Sequence, residues 1–160
     1  DLGIGKYYER LLWFYTAEIF AGDRNIHVCV DLSGLVGTPI HCFDDAILFL
    51  HTYNASPGDY GATLITEHLF QGKPLFALWG HLSKRSLEGK IDGQKIARGE
   101  VIAWIGDETE NGGWDRPHLH FQLSWKRPEK CDMPGVVTEA YRKKALEIYP
   151  DPRIVLGPIY

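Results

Sequence analysis

The sequence predicts a mainly β protein built on antiparallel sheets, with short helical extensions at its two ends. Three observations carry that expectation. From Ile26 to Trp125, short apolar segments rich in Val, Ile, Phe, Trp and Tyr are punctuated by turns containing Gly, Pro and Asn. No helical stretch of useful length interrupts them, which disfavours βαβ units. The length of 160 residues suits one domain able to bury a real apolar core.

Taken in order, Ile4, Tyr7, Tyr8, Leu11 and Leu12 fall at helical spacing. The aromatic-rich run from Trp13 to Phe20 either continues that helix or becomes an extended lead-in, and Gly22-Asp23-Arg24-Asn25 reads as a turn. Residues 1–23 are therefore expected to form an arm. A central domain follows over 24–125, with strands expected at Ile26–Leu32, Ala46–Tyr53, Ala62–His68, Leu75–His81, Val101–Ile105 and His118–Trp125. The character then changes. Pro128 to Gly135 is loop-like, and Thr138 to Ile148 suits a helix with Thr138 as its N-cap, ended by Pro150-Asp151-Pro152. Residues 126–160 are read as a C-terminal extension.

Composition excludes some functions. A formal charge of −4 gives no basic footprint for nucleic acid. No apolar run is long enough to span a bilayer. Residues 1–20 lack the apolar core and small-residue cleavage site of a signal peptide, so a cytoplasmic location is favoured slightly over a periplasmic or secreted one. The chain begins at Asp1, as a mature form, a trimmed chain or a piece of something longer would. Three cysteines, Cys29, Cys42 and Cys131, argue against a disulfide framework and a four-cysteine zinc site.

The chemistry concentrates in a few polar residues set among apolar ones. In Arg116-Pro117-His118-Leu119-His120-Phe121, two histidines two residues apart point the same way from a strand, with Cα atoms roughly 6.6 Å apart. His27 and Asp31 bracket Val28-Cys29-Val30, and His81 lies in Trp79-Gly80-His81-Leu82-Ser83. Histidines and an aspartate from this set can supply zinc with nitrogen and oxygen ligands and leave a position for water. The remaining histidines then serve as proton carriers or oxyanion donors. Spacing alone does not divide His118 from His120. In a straight strand, His27 and Asp31 would stand roughly 13 Å apart, so joint ligation requires the backbone to bend near Cys29. His41, His51 and His68 are read as structural or solvent-facing, and His41-Cys42 as a weak second metal pair.

His27-x-x-x-Asp31, Gly37-Thr38-Pro39-Ile40, Tyr60-Gly61, Trp79-Gly80-His81-Leu82-Ser83, Gly93-Gln94, Gly99 and Pro117-His118-Leu119-His120-Phe121 occur in that order. Together they resemble the lysostaphin-type metallopeptidases, zinc endopeptidases that mostly cut peptidoglycan. The resemblance covers about residues 26–125 and implies their hybrid-motif fold, with antiparallel sheets forming a groove. It implies that His27, Asp31 and His120 ligate one Zn²⁺ and that His81 and His118 are catalytic. The segment Gly93-Gln94 to Gly99-Glu100-Val101-Ile102 resembles a hairpin of biotin- and lipoyl-carrier domains, without a lysine at its tip. Tyr149-Pro150-Asp151-Pro152 and Gly112-Gly113-Trp114 are similar to a subgroup fused to kinase-like and aminotransferase-like domains, which implies a longer parent chain.

Three positions depart from that pattern. Cys29 stands where a glycine is usual, beside the expected ion, as a competing thiolate ligand or a buried small hydrophobe. Arg116 replaces a glycine before Pro117, charging the cleft wall. Gln122 replaces a common acidic residue. The functional expectation is a zinc-dependent endopeptidase acting on peptidoglycan or a related glycine- or D-amino-acid peptide. The alternative is a non-catalytic or small-metabolite-directed metal-binding module within a larger protein.

Overall fold

A computed structural model of the chain describes residues 3–10 and 24–160. The expected helical continuation beyond Arg10, the run Trp13–Phe20 and the Gly22-Asp23 turn lie outside the described residues. The strands are β1 (Ile4–Gly5), β2 (Arg24–His27), β3 (Val30–Ser33), β4 (Pro39–His41), β5 (Ala46–Asn54), β6 (Gly61–Phe70), β7 (Lys73–Leu82), β8 (Lys95–Ile96), β9 (Val101–Trp104), β10 (His118–Ser124) and β11 (Val136–Thr138). Two helices follow, α1 (Arg142–Ile148) and α2 (Arg153–Leu156).

The architecture is mainly β and antiparallel, as the alternation predicts. Among the described residues, one seven-stranded sheet has the order β1-β3-β10-β7-β6-β5-β8, and two-stranded ribbons β11-β2 and β4-β9 flank it. The long pair β6–β7 closes at Gln71-Gly72, both at positive φ (49° and 78°), the geometry of a two-residue hairpin turn. On β10 the period of two separates two environments. Leu119, Phe121 and Leu123 join Val30, Ala77 and Trp79 in the main core, so His118, His120 and Gln122 take the opposite face. On β3 the same alternation puts Val30 in the core and Asp31 beside His120, directly opposite in register.

Four expectations are corrected. Ile4–Gly5, expected as helix, is a strand that pairs with Asp31–Leu32. A two-residue strand at the sheet edge carries no periodicity of its own, and the apolar spacing 4, 7, 8 arises instead from a strand followed by a turn. Arg24-Asn25, expected as turn, begins β2. The single strand Ile26–Leu32 is two: β2 pairs with β11 while β3 pairs with β10, and the chain changes sheets through a bend at Val28-Cys29. The short strands β4, β8 and β11 lie outside the six strands expected. At the C-terminus, the Thr138 hydroxyl accepts from Tyr141 N–H at 3.2 Å. It thus caps a 3-10 turn over Glu139–Tyr141 that leads into α1.

Candidate metal centre

The bend at Cys29 decides the site. By moving the chain from one sheet to another, it folds His27 back over Asp31, bringing His27 Nε2 to 3.1 Å from Asp31 Oδ2. Across the β3–β10 ladder, His120 Nδ1 lies 3.1 Å from Asp31 Oδ1. Cys29 Sγ sits 2.7 Å from His27 Nε2. His27, Cys29, Asp31 and His120 each offer a donor atom, and these atoms lie within 4.8 Å of one another. Glycines make room around them. A Cβ on Gly5 would stand 3.1 Å from Asp31 Cβ, and one on Gly135 would meet His120 Cε1 and Tyr60 Oη at 2.9 Å.

Which atoms carry protons follows from the outer hydrogen bonds. His27 Nδ1 lies 3.0 Å from the Lys6 carbonyl, which only accepts, so Nδ1–H donates there and Nε2 turns a lone pair inward. Gln122 Nε2 donates to the Pro134 carbonyl at 3.0 Å, which leaves its Oε1 facing His120 Nε2 at 3.1 Å. His120 Nε2–H therefore donates to Gln122, and Nδ1 turns its lone pair toward Asp31. Two imidazole lone pairs and a carboxylate converge, and Asp31 Oδ1 is buried without a hydrogen bond from any described residue. Such a cluster of acceptors needs a cation. Without an ion, a proton is the substitute. Burial alone pushes His27 down, yet the hydrogen bond and charge of Asp31 outweigh it and raise its pKa. Burial would likewise raise Asp31, but His120 and His27 hold it well below the usual carboxylate range.

The donor set fits one zinc ion. A tetrahedral shell with bonds of about 2.0–2.3 Å separates its donors by roughly 3.3–3.7 Å, close to the spacing found here. Outward hydrogen bonds to Lys6 and Gln122 fix the tautomers of His27 and His120, the kind of outer support that metal sites use.

His81 and His118 stand beside this cluster. Their ring centroids are 4.4 Å apart, and His81 is 5.8 Å from His120. His81, next to last in β7, has φ 63°, a left-handed conformation that a non-glycine residue adopts at a cost. It is held there by its N–H donating to the Tyr60 carbonyl and by its carbonyl accepting from Gly106 N–H. His81 Nδ1–H donates to the Asn111 carbonyl at 2.8 Å, leaving Nε2 as an acceptor. Burial, then the neighbouring His118 and His120, push its pKa down to about 3, so it is neutral. His118 is half-buried, and its Nδ1–H donates to the Arg116 carbonyl at 2.7 Å. Arg116 itself is exposed, and it enters the site through that carbonyl.

Over these groups lies a cleft of about 440 Å³. One wall is Asp59-Tyr60, another is Asp132 to Val136, with Trp114 at the side and His27, His81 and His120 at the base. Tyr60 hydroxyl donates to the Met133 carbonyl at 2.6 Å, and burial holds its pKa well above the usual value, so it ties the walls together. The structure thus brings together all seven residues singled out in the sequence, Arg116 through its carbonyl. Sequence reasoning missed the Lys6 and Asn111 carbonyls, which have no side-chain signature, and the close approach of Gly135. The three cysteines are free thiols. His41 Nδ1 bonds the Gly99 carbonyl, and Cys42 donates to the Asp44 carbonyl. Among the described residues, these two form no second donor cluster.

Comparison with known proteins gives a consistent set of matches. The pattern of peptidase family M23 matches residues 25–132. Among solved structures, the catalytic domain of lysostaphin from Staphylococcus simulans superposes with a TM-score of 0.57 at 19% identity, covering 89% of this chain and 92% of that one. A mutant catalytic domain of the prophage-encoded M23 protein EnpA from Enterococcus faecalis gives 0.57 at 19% identity, covering 86% and 88%. LytU gives 0.55 at 19% identity, covering 97% and 92%. At these identities the likeness is one of fold. No curated protein matches the chain.

Proposed function

The chain belongs to peptidase family M23, and on that premise we propose that it is a zinc-dependent endopeptidase. His27, Asp31 and His120 hold the ion, and His81 and His118 assist hydrolysis. The observation that carries this reading is the inward set of lone pairs closing on a buried, unsatisfied Asp31 Oδ1. Zinc held by His27, Asp31 and His120 would supply Lewis-acid chemistry, polarising a carbonyl and lowering the pKa of a water.

The protein's own groups do the rest. Neutral His81, its Nδ1–H committed to Asn111, presents Nε2 as the acceptor that orients the attacking water. His118, its Nδ1–H committed to Arg116, takes the proton of the attacking water at Nε2 and then donates that Nε2–H to the oxyanion as charge develops. The walls at Tyr60 and Met133–Gly135 hold an extended peptide over the histidines. Peptidoglycan cross-bridges, or a related glycine- or D-amino-acid peptide, are the substrates this reading favours. Small residues suit a cleft floored by imidazoles and closed by the Tyr60–Met133 tie. The second reading, a metal-binding module without turnover, is favoured by Cys29, a further donor at the centre.

The test is metal analysis together with cleavage of purified peptidoglycan and of glycine-rich and D-amino-acid peptides. His118→Ala should keep its zinc and lose turnover by about 10²–10⁴-fold, the range for a single acid-base or oxyanion group. Wild-type activity in that variant contradicts the assignment. Zinc binding without cleavage of any peptide by the wild type favours the second reading.

A further inference from the structure

We propose that Cys29 is a fourth donor to the ion held by His27, Asp31 and His120. The resting centre is then closed, and water or a substrate oxygen must displace the thiolate before hydrolysis. The inference rests on the metal reading above and concerns how that same site is regulated.

The bend that folds His27 over Asp31 also turns Cys29 inward. Its Sγ is fully buried and lies 2.7 Å from His27 Nε2, the atom that is 3.1 Å from Asp31 Oδ2. That separation is short even for an N–H···O hydrogen bond, although sulfur is the larger atom. A thiol packed as a small hydrophobe would sit among methyl groups. Here its polar neighbours are an imidazole nitrogen and the Gly135 carbonyl at 3.5 Å, and that carbonyl already accepts from Val28 N–H at 3.0 Å. The other two thiols face elsewhere: Cys42 donates to the Asp44 carbonyl and Cys131 to the Thr63 carbonyl.

Two imidazoles, a carboxylate and a thiolate make a complete zinc shell. Four protein donors characterise sites that are closed, and three characterise sites that keep a position for water. Thiolate also shifts preference toward softer metals. The consequence is a latent centre in which Cys29 and water compete for one position. Replacing the thiol by glycine removes the competitor and leaves the other three donors in place.

The experiment is titration of the full chain with Co²⁺ under reducing, thiol-free conditions, read by near-ultraviolet absorption and by metal bound per chain. The wild type should bind one Co²⁺ and show the intense charge-transfer band of a thiolate on cobalt. Cys29→Ser and Cys29→Gly should still bind the ion, lose the band, and bind at least about tenfold more weakly, the scale lost even when outer partners are removed. Cys42→Ser should retain the band. One Co²⁺ bound by the wild type without a thiolate band overturns the inference and leaves the three-donor reading intact. No Co²⁺ bound by the wild type overturns both. Because the wild-type spectrum alone decides, a variant that fails to fold does not blunt the test.

Discussion

Among the buried histidines described, the network at His68 and the one at His27 and His120 are wired in opposite senses. At His68, Nδ1–H donates to the Asp45 carbonyl, Nε2 accepts from the Thr66 hydroxyl, and Thr66 Oγ1 accepts from Trp79 Nε1–H. Phe43 stacks on the ring at 4.1 Å between centroids. Every donor there has an acceptor, and the network closes on itself. At His27 and His120, the donors point outward to Lys6 and Gln122, the lone pairs point inward, and Asp31 Oδ1 is left without a proton. A closed network is a way of burying polarity; an inverted one is a way of holding a cation.

Substitutions break the comparison at different strengths. His120→Ala should have the largest effect. It removes a donor and should abolish stoichiometric zinc, lowering turnover by about a thousandfold or more, since a Lewis acid supplies several kcal/mol. His68→Ala should leave zinc stoichiometry unchanged and cost about 2 kcal/mol in denaturant unfolding, by stranding the Thr66 hydroxyl and opening a cavity. Gln122→Leu comes next. With the His120 tautomer released, zinc affinity measured by competition with a chelator should fall about 10–100-fold.

Gly135→Ala is smaller still. Its Cβ would press on His120 and on the Tyr60 hydroxyl, each at 2.9 Å. A stability cost of about 1–2 kcal/mol is expected, with weaker peptide binding seen as a raised KM.

Acidity should act on the closed network too. Burial pushes His68 down from 6.5 to about 4, so between those values the unfolded chain binds a proton that the folded chain does not. Stability from this group is complete above pH 6.5 and is lost as pH falls to about 4, by at most about 3 kcal/mol. His81 titrates in the same direction. In unfolding curves, His68→Gln should flatten the acid limb only by the His68 share; an unchanged limb contradicts the network.

Much of this was legible in the letters. The alternation around His118 and His120 predicts which residues of β10 share the site face, and the four-residue gap from His27 to Asp31 demands the bend found at Cys29. The family resemblance, and not spacing, separated His120 from His118. The structure gives that separation a physical form, because His120 lies in register with Asp31 while His118 lies opposite Ser33. What was not legible is carried by backbone or by very short elements. The Lys6 and Asn111 carbonyls orient His27 and His81 from a distance in sequence that no local pattern encodes. Strands of two or three residues, such as β1, β8 and β11, show no period, and their pairing depends on neighbours far along the chain.

On this reading the inverted network holds a metal ion. The most direct measurement is zinc bound per chain after equilibrium dialysis at neutral pH, for the wild type beside His120→Ala and His68→Ala. One zinc in the wild type and in His68→Ala, with none in His120→Ala, is the predicted result. No zinc in the wild type, or a full complement in His120→Ala, contradicts it.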